Sequence, residues 1–194
     1  MQDMAEIPQG TVAEMKSLCM QGEKLAKIGD YVRALEKYNE ALTLVPRPRK
    51  AYSEATWIYA AIGEAYYNMK DYKEAGKAFF ESYSSQGGDR SAQICLRLGQ
   101  CLEECSERKR AHEYLRQALD MEGAGIFADE NPKYYRTATA KPYELEEPQE
   151  KPRSHGSDVI EGEAVFYGDS FADDENSQER ESFIKRLFSR FKNL

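Results

Sequence analysis

Three stretches share one pattern: GDYVRALEKYNEAL (29–42), KDYKEAGKAFFESY (70–83) and ERKRAHEYLRQALD (107–120). Each holds a small residue, a bulky residue four positions later and another small residue three positions after that. A glycine stands twelve positions before the first small residue in every case. Apolar and small residues recur here at helical spacing, which predicts repeated pairs of helices that cross closely at their small residues. The shared positions are Gly22, Ala34, Tyr38 and Ala41; Gly63, Ala75, Phe79 and Ser82; Gly99, Ala111, Leu115 and Ala118.

This layout resembles the tetratricopeptide repeat (TPR), a helix–turn–helix unit of about 34 residues. The resemblance covers residues 11–122, and three units stand in register. It implies an all-α solenoid of three helical hairpins that works by binding a protein or peptide. It also implies that the first helix of each hairpin, helix A, lines a concave groove.

Local signals indicate where the helices begin. Asp30 and Asp71 stand at the N-cap positions of the second helices of two repeats. The residues from Thr11 to Glu14 read as a capping box that starts the first helix. Seven extra residues precede the second repeat, and Pro48 among them predicts a long second A helix with the proline near its first turn.

The composition divides the chain into five segments. The solenoid is followed by a stretch that could form a short capping helix, since the ends of solenoids need a polar-faced cover. Beyond it the chain is rich in acids, proline and glycine, which predicts a disordered linker. The predicted segments are a flexible N-terminus (1–10), the repeats (11–122), the cap (123–141), the acidic linker (142–180) and a basic amphipathic helix (181–194).

The last segment carries large apolar residues on one helical face and four cations beside it. Three interpretations stay open for it: docking on a protein groove, including this chain's own groove or that of a second copy; binding to an anionic membrane surface; or no specific contact. A helix this short is marginal in water, so we expect it to order only on binding. The predicted contact residues are Phe183, Leu187, Phe188 and Phe191.

Helix positions that match the repeat family predict the partner-binding groove. The groove contains the only tryptophan of the chain, and aromatic anchors supply much of the energy of interfaces. Its acids outnumber its lysines, which favours a basic or amphipathic ligand. An alternative is that Trp57 packs beneath the second A helix and the acids form a solvated face. The predicted groove residues are Lys16, Glu23, Trp57, Glu64, Tyr67, Gln93, Gln100 and Glu103.

The composition narrows the function classes. The formal net charge is −7, so the chain as a whole would repel a nucleic-acid backbone. Neither a signal-like start nor an apolar run of membrane length is visible, which predicts a cytoplasmic protein with reduced cysteines. Phosphate-binding glycine loops, nucleophile motifs and metal-ligand spacings are absent from the sequence. We therefore expect no enzyme activity, no cofactor and no metal.

Two functions fit these features. One is a general adaptor that brings a protein partner to a complex through the concave groove. The alternative is a dedicated inhibitor, similar to an antitoxin or immunity protein, that neutralises one enzyme by covering its surface. A tight one-to-one complex would favour the inhibitor, whereas several weaker partners would favour the adaptor.

Overall fold

The structure is a computed structural model that describes residues 6–141 and Leu145. The described residues are helical and contain no strand, as predicted. The predicted linker (142–180) and tail (181–194) lie outside the described residues, apart from Leu145. The helices are α1 (Gln9–Lys27), α2 (Tyr31–Thr43), α3 (Ser53–Asn68), α4 (Tyr72–Tyr83), α5 (Ala92–Glu104), α6 (Arg108–Glu122) and α7 (Pro132–Thr139).

The helices pair as three hairpins, α1 with α2, α3 with α4 and α5 with α6, and each hairpin packs on the next. This arrangement confirms the predicted solenoid. Buried apolar side chains form two clusters, one beneath the first hairpin and α3, the other from α4 to α7. Helix α3 contributes to both clusters, which explains why ten of its sixteen residues are buried.

The glycines of the repeat pattern lie where two helices of a hairpin cross, as predicted. A β-carbon on Gly63 would lie 2.9 Å from the ring of Phe79, and one on Gly99 would lie 2.6 Å from Leu115 Cγ. Gly22 faces Tyr38 in the same way. These helices approach too closely for any side chain at the crossing point.

Two of the predicted helix starts are confirmed. The carboxylate of Asp30 accepts a hydrogen bond from the backbone N–H of Arg33, and Asp71 accepts one from Glu74, each at 3.2 Å. Each satisfies a donor that the first turn of a helix leaves unpaired.

The predicted start of the first helix is wrong. Helix α1 begins at Gln9, inside the segment predicted to be flexible, and Thr11 lies within the helix. Pro8 takes the N-cap position, and its carbonyl accepts the N–H of Val12 at 3.1 Å. Ile7 is buried and Val12 is half-buried, and both pack on the first apolar cluster. Ile7 precedes the N-cap and Val12 is the fourth residue of the helix, and apolar residues at these two positions fix the direction in which the chain enters a helix.

The start predicted for the long second A helix is also wrong. Pro48 follows a cis peptide bond, a short 3-10 turn spans Arg49–Ala51, and α3 begins only at Ser53. Tertiary hydrogen bonds hold the inserted loop outside the helix. The Lys50 carbonyl accepts the N–H of Gln86 at 3.0 Å, and Arg49 Nε donates to the Leu42 carbonyl at 3.1 Å.

The segment after the third hairpin covers its end. Gly123 ends α6 with a φ of 74°, which a glycine adopts without strain. Helix α7 then packs on α6, and His112 Nδ1 lies 2.8 Å from the carbonyl oxygen of Thr137. This contact holds α7 against α6, and α7 lies in the stretch predicted to be the cap (123–141).

Candidate functional site

The predicted groove residues belong to the A-helix face, defined here as the side of α1, α3 and α5 that the resemblance assigns to the concave groove. Three of these side chains are buried: Trp57, Glu64 and Gln100. Lys16 is exposed. The remaining four are half-buried, and they are Glu23, Tyr67, Gln93 and Glu103. Much of the predicted contact surface is therefore used by the packing of the chain itself.

Trp57 lies within the protein interior. Its side chain is 4% exposed and belongs to the first apolar cluster, together with Cys19, Tyr38 and Ile58. This position corresponds to the alternative interpretation, in which the indole packs within the repeats.

A buried ionic network joins α3, α5 and the segment before α7. Arg97, only 8% exposed, donates from Nε to Glu64 Oε1 at 2.7 Å and from Nη1 to Gln100 Oε1 at 2.9 Å. Its Nη1 also lies 3.3 Å from Glu130 Oε1, while Gln100 Nε2 donates to Glu130 Oε2 at 2.8 Å. We call Glu64, Arg97, Gln100 and Glu130 the ionic network. A buried guanidinium is tolerated here because carboxylate and amide oxygens from three elements surround it.

Tyr67 belongs to the same arrangement. The Arg97 guanidinium carbon lies 4.7 Å from the centre of the Tyr67 ring, a cation–π contact. Burial raises the pKa of Tyr67 well above its usual value, although Arg97 opposes that rise. The phenol therefore stays neutral, and its ring forms one wall around the arginine.

The capping segment holds the last acid of α5. Glu104 Oε1 lies 2.6 Å from Lys133 Nζ and 2.5 Å from the hydroxyl of Tyr134, which donates to it. Burial alone would raise the pKa of Glu104, but the hydrogen bonds from Lys133 and Tyr134 lower it by more. Two acids of the A-helix face, Glu64 and Glu104, are thus paired with cations of the same chain.

The A-helix face stays open at the first hairpin. Met20 is 54% exposed, and Lys16 and Lys27 are exposed beside it on α1. These residues are three or four positions apart around Met20 and around the half-buried Glu23, so they share one side of the helix. Met20 was missed as a candidate from sequence, although its spacing from Lys16 and Lys27 was visible.

A pocket lies between the second and third hairpins, lined by α4, α5 and the start of α6. Its volume is about 250 Å³. We call it the B-helix groove. Its lining residues are Tyr72, Lys73, Gly76, Lys77 and Phe80 from α4, Leu98, Cys101 and Leu102 from α5, Cys105 at the C-cap of α5, and Glu107 and Arg110 at the start of α6. Sequence reasoning did not find it.

The four cysteines are free thiols. Burial, the larger cause in each case, raises the pKa of Cys19 and of Cys95 to about 12, and it raises that of Cys101 as well. Cys105 is the exposed thiol. Within residues 6–141 and Leu145, no group of three histidine, cysteine, aspartate or glutamate side chains could hold a metal ion. None of the described helices has the length and apolar character needed to cross a membrane.

Comparisons with known proteins give one informative result. No family model and no curated protein matches this sequence. Among solved structures, the Sgt2 TPR domain from Aspergillus fumigatus is similar, with a TM-score of 0.53 and 18% sequence identity. The match covers 78% of this chain and 92% of that domain. At this identity the likeness shows the fold, and the fold is that of a tetratricopeptide-repeat domain.

Proposed function

We propose that this protein is an interaction module that holds a protein or peptide partner on the open part of its A-helix face. The observation that carries this proposal is the exposed Met20 between two lysines, on a face whose predicted positions on α3 and α5 are buried or half-buried. An exposed methionine suits an interface because its flexible side chain fills irregular apolar contacts. In this role the protein would act as an adaptor that presents a bound partner.

The charges of the face determine the kind of partner. Glu64 and Glu104 are paired with Arg97 and Lys133, so their charge is already used inside the fold. What remains open on α1 is an apolar side chain flanked by lysines. The partner we propose is an amphipathic segment with an apolar anchor for Met20 and carboxylates beside it.

The ionic network supports a binding role. Its acids and its arginine hold three elements together, and each named member makes at least one hydrogen bond to another member. Such a network fixes the orientation of α3 relative to α5, and α3 in turn contacts α1, so the helices beside the open face are held in place before a partner binds.

The test is affinity capture with two matched variants of the full chain. The first, Lys16→Glu/Met20→Ala, changes the open face. The second, Val32→Ala/Lys109→Glu, makes the same types of change at exposed positions elsewhere. The first variant should retain at least about tenfold less of a partner that the wild-type protein and the control variant both capture. The affinity measured with the purified protein and purified partner should fall by the same factor.

The proposal fails if the partner binds both variants equally while both show the melting curve of the wild-type protein. Equal binding would place the contact away from α1. A loss with both variants would point to a general surface effect and would equally count against the open A-helix face.

A further inference from the structure

The B-helix groove has an apolar floor and a charged rim. Leu98, Cys101 and Leu102 are buried at its base, and Phe80 stands at its side with 40% of its surface exposed. Above the floor, the chain places Lys73 and other charged residues of α4 and α6. An opening of this size and polarity can hold one or two large side chains of a peptide.

Gly76 makes this opening possible. It lies in the interior of α4, where glycine destabilises a helix relative to alanine. The glycines at the helix crossings are required by packing, but a β-carbon on Gly76 would meet nothing nearer than Cys101 Cβ, at 3.4 Å. Packing within the described residues does not explain this glycine. A missing side chain in front of an open groove is what a close approach by another chain segment needs.

The first hairpin provides an internal comparison. The junction between the first and second hairpins, here the first junction, carries Leu35 at the repeat position of Gly76. Leu35 packs on the first apolar cluster, as does Tyr66, which occupies the repeat position of Leu102. The same repeat position therefore carries a packed side chain at the first junction and no side chain at the junction between the second and third hairpins. We call the latter the second junction.

The charges at the two junctions also differ. The rim of the B-helix groove carries Lys73, Lys77 and Arg110 against the single acid Glu107. Lys77 pairs with Glu74 and Arg110 with Glu107. The matching positions of the first junction are Val32, Glu36, Glu74 and Asp71. The lining of the second junction thus has more cations than acids, whereas the matching positions of the first junction carry acids and no cation. An acidic occupant would meet Lys73 directly and share Lys77 and Arg110 with Glu74 and Glu107, so the second junction favours it.

We propose that residues 161–175 of this chain, EGEAVFYGDSFADDE, bind in the B-helix groove. This segment lies outside the described residues. It contains six acids, no lysine, arginine or histidine, and three aromatic residues, Phe166, Tyr167 and Phe171. Its aromatic side chains match the apolar floor, and its carboxylates match the basic rim.

The connection to the fold is long enough. Roughly twenty residues separate Leu145 from Phe166, and such a chain can span up to about 70 Å. Helix α3, with 16 residues, is only about 24 Å long. A tethered segment also binds at a high effective concentration, so a weak contact in one molecule suffices to keep the groove occupied.

The basic tail is a poorer occupant for this groove. Its apolar residues are suitable, but Lys185, Arg186 and Arg190 would lie against a rim that is already basic. The tail therefore supplies a matched control for any test of the acidic segment.

Cys105 reports on the groove, because it lines the opening and is the exposed one of the four cysteines. We would measure the rate at which iodoacetamide alkylates this thiol in the full chain. The segment variant is Phe166→Ala/Tyr167→Ala/Phe171→Ala, and the control is Phe183→Ala/Phe188→Ala/Phe191→Ala. The segment variant should react at least about fivefold faster than the wild-type and control proteins, and high salt should narrow the difference.

A second arm uses a fluorescent synthetic peptide of residues 161–175. It should bind the segment variant, in which the groove is open, and bind the wild-type chain far more weakly. Adding Gly76→Leu to the segment variant, which imitates the filled first junction, should abolish peptide binding.

Several outcomes would overturn the proposal. Equal alkylation rates in wild-type and segment-variant proteins would show that the segment does not cover Cys105. Equal binding of the peptide to both would show a groove that is open to an acidic segment of another protein. Protection that disappears on dilution would assign the contact to a second copy of the chain.

Discussion

The first and second junctions have the same backbone plan and different interiors. At the first junction, Trp57 and Ile58 are buried in an apolar cluster, and Leu35 packs against it on the B side. At the second junction, the ionic network lies on the A side and an open groove lies on the B side. The repeat thus tolerates both a sealed apolar contact and a polar one.

A single repeat position illustrates the difference. Arg97 stands two residues before Gly99, and Ala61 stands two residues before Gly63. The glycines serve the same helix crossing in both hairpins. The residue two positions away is free to vary because it faces the neighbouring repeat rather than its own hairpin. The residue type at a position inside a hairpin is determined by close packing. The residue type at a position between hairpins is determined by contacts with the neighbouring hairpin and the cap.

The largest expected effect is at the ionic network. Arg97→Met removes the cation and leaves the buried Glu64 and the half-buried Glu130 without it, so the free energy of unfolding should fall by about 3–5 kcal/mol. Urea denaturation measures this change. The control is Arg116→Met, which removes an exposed ion pair with Asp120 and should cost less than about 1 kcal/mol.

Converting the second junction to the chemistry of the first sharpens the same comparison. Glu64→Leu, Arg97→Met, Gln100→Leu and Glu130→Leu together replace the whole ionic network with apolar side chains, so that the buried Gln100 amide is not left without its partners. The quadruple variant should recover most of the stability that Arg97→Met loses, since well-packed apolar groups replace buried ion pairs at little or no cost. A quadruple variant less stable than Arg97→Met alone would mean that the network contributes through its packing and not through its charges.

The next effect separates two kinds of helix glycine. Gly63→Ala should destabilise the protein by about 1–3 kcal/mol, because the new β-carbon would lie 2.9 Å from the Phe79 ring. Gly76→Ala should instead stabilise it by up to about 1 kcal/mol, because alanine favours the helical conformation more than glycine and the nearest atom is 3.4 Å away. Thermal and urea unfolding of both variants provide the measurement. Changes of the same sign would remove the distinction between crossing and groove glycines.

The sequence predicted the repeats well because their signals are local. Gly63 and Phe79 both belong to one hairpin and recur at fixed spacing, and a cap such as Asp71 acts within one turn. The ionic network could not be predicted in this way. Glu130 lies 33 residues from Arg97 and outside the repeat pattern, so nothing in the spacing indicates that the two side chains meet.

The site was harder to predict for a related reason. Helix positions indicate which side a residue faces, but not whether a neighbouring element covers that side. Glu64 and Gln100 were placed on the A-helix face by position, and contacts from Arg97 and Glu130 then bury them. The B-helix groove has a sequence signal in Gly76, which becomes visible only when it is compared with Leu35 at the same repeat position.

The smallest expected effect is the pH dependence of the cap. The pKa of Glu104 lies below its ordinary value of 4.5, so the ionised carboxylate stabilises the folded protein at neutral pH. This contribution is present above that ordinary value and is lost as the pH falls through the lower, folded pKa. Between pH 7 and 3, the wild-type protein should therefore lose more stability than Glu104→Gln, and the two should converge in acid. Lys133→Met should narrow the difference because it removes one partner of the carboxylate. If the stabilities of the wild-type protein and Glu104→Gln fall in parallel down to pH 3, the ionised Glu104 does not hold α7 in place. The polar contacts between α5 and the segment after α6 would then depend on Glu130 alone.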